Sequence, residues 1–118
     1  MKRWNLHEIP TPEGTRSPVV LHSQDGEGRV VLIRIDAGQE LGEHQVKEAA
    51  LLLVVEGEVT VEAGEESVDA EAGALFRFDP DERRTVRSAT GGRVLLLLAP
   101  WPGEGHYRGE RPAAVSAS

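Results

Sequence analysis

The sequence contains no cysteine, which excludes disulfide bonds, thiolate metal sites and thiol nucleophiles. It also lacks an apolar run long enough to span a membrane, because its longest strongly apolar runs are confined to residues 49–55 and 94–99. The first ten residues include two basic side chains but no apolar segment behind them, so they do not match a secretory signal. From these absences we expect a cytoplasmic protein without a membrane partner.

Positive charge is scarce in the middle of the chain. Between Asp36 and Glu71 there are 11 acidic residues and one basic residue, Lys47, and the whole chain has a net charge of −7. Such a surface repels phosphate backbones, so we expect no nucleic-acid partner. The simplest interpretation of the acidic strand faces is that they keep a β protein soluble.

The length of 118 residues predicts one domain with a substantial core. We predict three parts: an extended N-terminal arm over residues 1–17, a β-barrel over 18–100 and a C-terminal tail over 101–118. Three apolar residues of the arm are expected to dock on the barrel or on a partner subunit: Trp4, Leu6 and Ile9. The tail carries His106 and Tyr107, for which surface exposure is the default and capping of the barrel mouth the alternative.

Short apolar segments between turn residues indicate an all-β fold. Polar and apolar residues alternate strictly over 58–62, and the apolar run before them ends at Gly57. We therefore predict an antiparallel hairpin over residues 50–62, turning at Glu56-Gly57. Further strands are predicted over 18–22, 29–36, 67–70, 74–78, 83–88 and 93–99. No convincing amphipathic helix pattern interrupts this series, which favours a sandwich or a barrel.

Alternation also predicts the orientation of the strand over residues 83–88. One face, which we expect to be solvated, carries Arg83, Thr85 and Arg87, and the other carries Arg84, Val86 and Ser88. If the strand is half buried, the second face lies inward. Arg84 is therefore predicted to point towards the core.

The spacing of residues 38–57 resembles the first motif of the cupin superfamily, G-x5-H-x-H-x3-E-x6-G. Gly38, His44 and Gly57 match this frame, whereas Val46 replaces the second histidine and Ala50 replaces the glutamate.

The second cupin motif, G-x5-P-x-G-x2-H-x3-N, is similar to residues 73–88. Gly73 matches, Arg84 replaces the histidine and Ser88 replaces the asparagine. The resemblance covers residues 29–99 and implies a cupin-type jelly-roll β-barrel, also called a double-stranded β-helix.

In cupins of this kind, the two histidines, the glutamate and the last histidine hold one divalent metal inside the barrel. Here these positions are occupied by His44, Val46, Ala50 and Arg84. Valine and alanine offer no ligand atom, and the protonated guanidinium has no lone pair for a metal and repels a cation. We therefore expect no tightly bound metal and no other cofactor. The alternative is a metal site rescued by His44 together with Glu43, Glu48 or His106.

A buried cation needs an anionic or polar partner, so we predict a metal-free barrel that binds a small anionic ligand. The predicted ligand-binding residues are His44, Arg84, Val46, Ala50, Phe76 and Phe78. Four of them have a structural alternative: Arg84 could pair with Glu43 or Glu48, His44 could be a hydrogen-bonded remnant, and the two phenylalanines are core residues by default.

Two enzymatic alternatives remain open. One is an isomerase or lyase in which His44 acts as acid or base and Arg84 holds the substrate anion; the other is a metal-dependent oxygenase that uses His44. We also expect a homodimer, because an exposed sheet and an apolar arm invite pairing.

Overall fold

The computed structural model describes residues 1–14, 17–41 and 49–99, and its regular structure consists of antiparallel strands and one short 3₁₀ turn, Leu6–Glu8. The strands are β1 (Val19–Gln24), β2 (Gly28–Ile35), β3 (Gln39–Glu40), β4 (Ala49–Ala63), β5 (Glu66–Glu71), β6 (Leu75–Phe78), β7 (Thr85–Ser88) and β8 (Gly92–Ala99). This confirms the predicted all-β class. Over the same residues, no helix is long and apolar enough to cross a membrane.

The strands form a curled sheet whose two halves share the long strand β4. The first half has the order β1-β2-β8-β4-β6, in which β4 pairs through residues 49–57 with β8 and through 50–53 with β6. The second half has the order β5-β4-β7-β3, in which β4 pairs through residues 58–63 with β5 and through 60–62 with β7. One strand therefore crosses from one half to the other, as in a jelly roll.

The predicted hairpin over residues 50–62 is wrong, because the chain does not reverse at Glu56-Gly57. Residues 49–63 instead form one continuous strand with a bulge between Val54 and Glu56, where the register against β8 shifts. Gly57 has a φ of +77°, a left-handed conformation that glycine adopts in turns and also next to bulges. Gly57 was expected to mark a turn, whereas here it lies beside the bulge of a continuous strand that joins the two halves.

At this bend, Gly57 lies directly against Gly91 and Gly92 at the start of β8. A Cβ added to Gly57 would lie 2.2 Å from the carbonyl oxygen of Gly91 and 2.7 Å from Cα of Gly92. These distances are too short for any side chain, and the neighbouring atoms belong to the backbone. The two halves of the sheet can therefore meet here only because both strands carry glycine.

The core lies between the two halves and follows the alternation of the strands. On β4 the inward residues before the bulge are Ala50, Leu52 and Val54, and after it they are Val59 and Val61. The other buried members of this cluster are Val31, Ile33, Ile35, Phe78, Val86, Val94 and Leu98. Val31, Ile33 and Ile35 thus share the face of β2 that contacts this core.

The N-terminal arm docks on the outer face of the sheet through Arg93, a buried residue of β8. The Arg93 guanidinium donates to the carbonyl oxygens of Ile9 at 2.7 Å and Leu6 at 2.9 Å, and it forms an ion pair with Glu56. Leu6 and Ile9 are half-buried, whereas Trp4 is exposed. Docking on the barrel or on a partner subunit was predicted through apolar side chains, and the sequence did not identify the arginine that binds the arm backbone.

The charge on Glu56 should make this docking sensitive to acid. Hydrogen bonds from Arg93 and His7 lower the pKa of Glu56 from 4.5 to about 2. Because the folded-state pKa is depressed, the stabilisation is complete above about pH 4.5 and is lost as the pH falls through about 2. We predict that Glu56→Gln lowers the melting temperature near pH 7 and that this deficit disappears towards pH 2.

Differential scanning fluorimetry between pH 2 and pH 7 measures this effect. Glu58→Gln is the control for net charge, because it removes an exposed carboxylate from the same strand. The prediction would be contradicted if the difference in melting temperature between the wild type and Glu56→Gln stayed constant over the whole pH range.

Candidate site on the inner face of the barrel

Arg84 lies on the inner face of the barrel, immediately before β7. Arg84 is only 5% exposed, and the next two residues on the same face, Val86 and Ser88, are also buried. Arg87, on the opposite face, is exposed and forms an ion pair with Glu62 at 2.8 Å. The inward orientation predicted for Arg84 from alternation is thus confirmed.

Within residues 1–14, 17–41 and 49–99, the buried guanidinium of Arg84 is incompletely hydrogen-bonded. Its Cζ atom lies 4.7 Å from the centroid of the Phe78 ring, a cation–π arrangement. Its Nη1 atom is buried and has no hydrogen-bond partner in the part of the chain that the structure describes. Burial lowers the pKa of Arg84 from its ordinary value, and the negative charge of Glu82 opposes this shift. The group nevertheless stays a cation at neutral pH, since guanidinium remains protonated in proteins.

An apolar wall stands beside this cation. Ala50 pairs with Phe78 and Leu52 pairs with Phe76 across β4 and β6, so the four side chains share one face. The two phenylalanine rings are nearly parallel, with an interplanar angle of 6° and centroids 6.4 Å apart. Phe78 is a buried core residue and Phe76 packs against the core, as the default interpretation predicted. Ala50, Phe76, Phe78 and Arg84 are thus brought to one inner surface.

The other predicted site residues cannot be placed beside Arg84. His44 and Val46 lie in residues 42–48, outside the described part of the chain, and so do the alternative partners Glu43 and Glu48. His106 and Tyr107 lie in residues 100–118, which are also outside it. Their roles stay predictions.

Gln39 is a second inner residue, which the sequence did not single out. It pairs with Ser88, and residues directly opposite in an antiparallel pair project on the same face, so Gln39 projects inward with Ser88. Its side-chain Oε1 is buried and accepts no hydrogen bond from any described residue. Sequence alternation around Gln39 could suggest on which side of a strand its side chain lies. The pairing that places Gln39 beside β7, however, depends on the tertiary structure.

The residues at the motif positions fit a divalent metal poorly. Ala50 supplies no donor atom, and Arg84 places a positive charge where a histidine ligand would stand. Across residues 1–14, 17–41 and 49–99, no group of three or more histidine, aspartate or glutamate side chains could hold a metal ion.

A groove beside the N-terminal arm is a second candidate, with a volume of about 630 Å³. The two arginines that line it have acidic partners: Arg34 pairs with Asp36 at 2.7 Å, and Arg93 pairs with Glu56. Because these charges are paired, the two arginines of the groove do not need a bound anion as a partner.

The sequence profile of the cupin domain matches residues 31–100, more than half of the chain. The chain therefore belongs to the cupin domain family, whose barrel is the double-stranded β-helix described above. No curated protein matches the sequence.

Solved structures with the same fold come from several bacteria. An RmlC-like cupin protein from Desulfovibrio desulfuricans is 27% identical, with a TM-score of 0.75 over 85% of this chain and 97% of that one. The protein TT1209 from Thermus thermophilus is 23% identical, with a TM-score of 0.75 over 86% and 100% of the two chains. A protein with a double-stranded β-helix domain from Klebsiella pneumoniae is 17% identical, with a TM-score of 0.74 over 85% and 90%.

Proposed function

We propose that this cupin binds a small organic anion inside its barrel and does so without a tightly bound metal. The observation that carries the proposal is the buried Arg84 guanidinium, whose Nη1 lacks a hydrogen-bond partner among the described residues. An unpaired buried donor is unfavourable, and the penalty is larger for a charged group. An anion that accepts from Nη1 would remove this penalty.

A carboxylate suits this position well. Its two oxygens match the planar guanidinium, and hydrogen bonds between two charged groups are about twice as strong as neutral ones. Phe78 covers one face of the guanidinium, so the ligand would approach from the edge that contains Nη1. Ala50, Phe76 and Phe78 would then contact the apolar part of the ligand.

His44 and Val46 complete the proposed ligand-binding set. At the position of the first cupin histidine, His44 would provide a second hydrogen-bond donor to the anion, and Val46 would extend the apolar lining. Metal independence is supported by the poor donor set at Ala50 and Arg84. Elemental analysis of the purified protein checks it, since stoichiometric iron, manganese, nickel or zinc would contradict it.

We predict that small carboxylic acids stabilise the wild-type protein and that Arg84→Met abolishes most of this effect. The probes are acetate, benzoate and phenylacetate, with inorganic phosphate for comparison. A charged hydrogen bond contributes about 1.5–3 kcal/mol, so affinity should fall about tenfold or more in the variant. Isothermal titration calorimetry measures the affinities and a thermal-shift assay measures the stabilisation.

Arg83→Met is the matched control, because it removes the same charge from the adjacent residue on the exposed face. If both variants weaken binding equally, the effect reflects net charge alone. If Arg84→Met leaves affinity unchanged, the anion binds elsewhere. Either result overturns the proposal.

We further propose that the protein works as a homodimer in the cytoplasm. Apolar side chains are exposed on strands at both edges of the first half of the sheet: Val20 on β1 is 47% exposed and Leu75 on β6 is 62% exposed. Burial of such residues against a second copy would be favourable. Light scattering at working concentration tests the dimer, and a monomer would contradict it.

A further inference from the structure

Gln39 and Arg84 present complementary unsatisfied groups on one inner face of the barrel. Arg84 has an unpaired donor at Nη1, and Gln39 has an unpaired acceptor at Oε1; both atoms are buried and have no partner within the described residues. Gln39 lies opposite Ser88, and Ser88 follows Arg84 by four residues. At about 3.3 Å per residue, the backbones of Gln39 and Arg84 are therefore about 13 Å apart in the direction of the strands.

The surface between these two groups is apolar. Leu41 donates its backbone N–H to the carbonyl oxygen of Val86 at 2.8 Å, which continues the pairing of Gln39 with Ser88 by two residues. Val86 is buried, and Leu41 packs against the core cluster. A molecule in contact with both polar groups would therefore pass over hydrocarbon.

We propose that the ligand is a monocarboxylic acid with an apolar body and a hydroxyl or N–H donor at its far end. Its carboxylate accepts from Arg84, its body covers Leu41, Val86 and the phenylalanines, and its donor binds Oε1 of Gln39. This inference rests on the anion-binding function proposed above and adds the class of ligand. A simple fatty acid lacks the far-end donor, and inorganic phosphate lacks the apolar body.

Matched pairs of acids test the far-end donor. The pairs are 4-hydroxybenzoate with benzoate, 4-hydroxyphenylacetate with phenylacetate, and 3-(4-hydroxyphenyl)propanoate with 3-phenylpropanoate. The three lengths sample different distances between the carboxylate and the hydroxyl. For at least one pair, the hydroxyl should tighten binding about three- to tenfold, the contribution of one neutral hydrogen bond.

Gln39→Met identifies the acceptor, since it keeps the length of the side chain but removes the amide oxygen. In this variant the hydroxylated acid should bind no more tightly than the unsubstituted acid of the same pair. The affinity for the unsubstituted acid should stay within about twofold of its wild-type value. Arg84→Met should weaken both members of each pair and leave the ratio between them unchanged.

The outcomes separate the two proposals. If the acids bind in an Arg84-dependent way but no pair shows a hydroxyl gain that depends on Gln39, the proposed ligand class is wrong and anion binding stands. If none of the acids binds to the wild-type protein, anion binding itself fails and this inference fails with it. A circular-dichroism melt of each variant confirms that it is folded before affinities are compared.

Discussion

Gly57→Ala is expected to destabilise the protein by about 3 kcal/mol or more, the largest effect of any single substitution proposed for this chain. Two costs add at this position. Alanine must adopt a φ of +77°, and its Cβ would lie 2.2 Å from the backbone carbonyl oxygen of Gly91. Because backbone atoms on β8 cannot rotate away as a side chain can, the two halves of the sheet must separate locally. Chemical denaturation monitored by circular dichroism measures the loss.

Gly64→Ala separates these two costs. Gly64 also has a positive φ, +61°, but a Cβ there would meet nothing within 4 Å. This control should therefore lose only the conformational term, about 1–2 kcal/mol. Equal losses in the two variants would show that the close approach at the bend contributes nothing.

Arg84→Met is expected to raise the stability of the ligand-free protein by about 1–4 kcal/mol. The substitution replaces a buried cation, whose Nη1 has no hydrogen-bond partner in the described part of the chain, with an apolar side chain of similar length. The desolvation that lowers the pKa of Arg84 disappears with the charge. The methionine sulfur can still contact the Phe78 ring, which partly replaces the cation–π interaction. Equilibrium denaturation without added ligand measures the difference.

Arg83→Met again serves as the control, because a change confined to an exposed position usually alters stability by less than about 0.5 kcal/mol. A clear loss of stability in Arg84→Met would mean that the arginine is a structural residue whose interactions outweigh its desolvation. The expected gain in stability, combined with loss of carboxylate binding, would instead show that the barrel keeps a destabilising buried charge because this charge binds the ligand.

Much of the fold could be predicted because local patterns in β proteins reflect burial directly. Alternation over residues 83–88 correctly predicted that Arg84 faces inward, since side chains on a strand must point to opposite sides of the sheet. The spacing of Gly38, His44 and Gly57, followed by the second motif that begins at Gly73, also indicated the cupin family, which the profile match confirms.

Long-range pairing was not predictable from the same patterns. Gly57 was expected to reverse the chain, but the strand continues because β8 supplies glycines at the matching position. Gln39 received no role, because its place beside Ser88 depends on a strand that is 49 residues further along the chain. The Arg93 contact with the arm was missed for the same reason: it joins β8 to the carbonyl oxygens of Leu6 and Ile9.

The sequence by itself determined the all-β class, the inward face that carries Arg84, Val86 and Ser88, and the replacement of metal ligands by alanine and arginine, since each depends on residue identity and local period. Only the tertiary structure decided that a buried nitrogen of Arg84 has no partner among the described residues, that Gln39 shares its inner face, and that one strand serves both halves of the sheet. These facts depend on which distant strands pair and in what register, and pairing is set by the packing of the whole barrel.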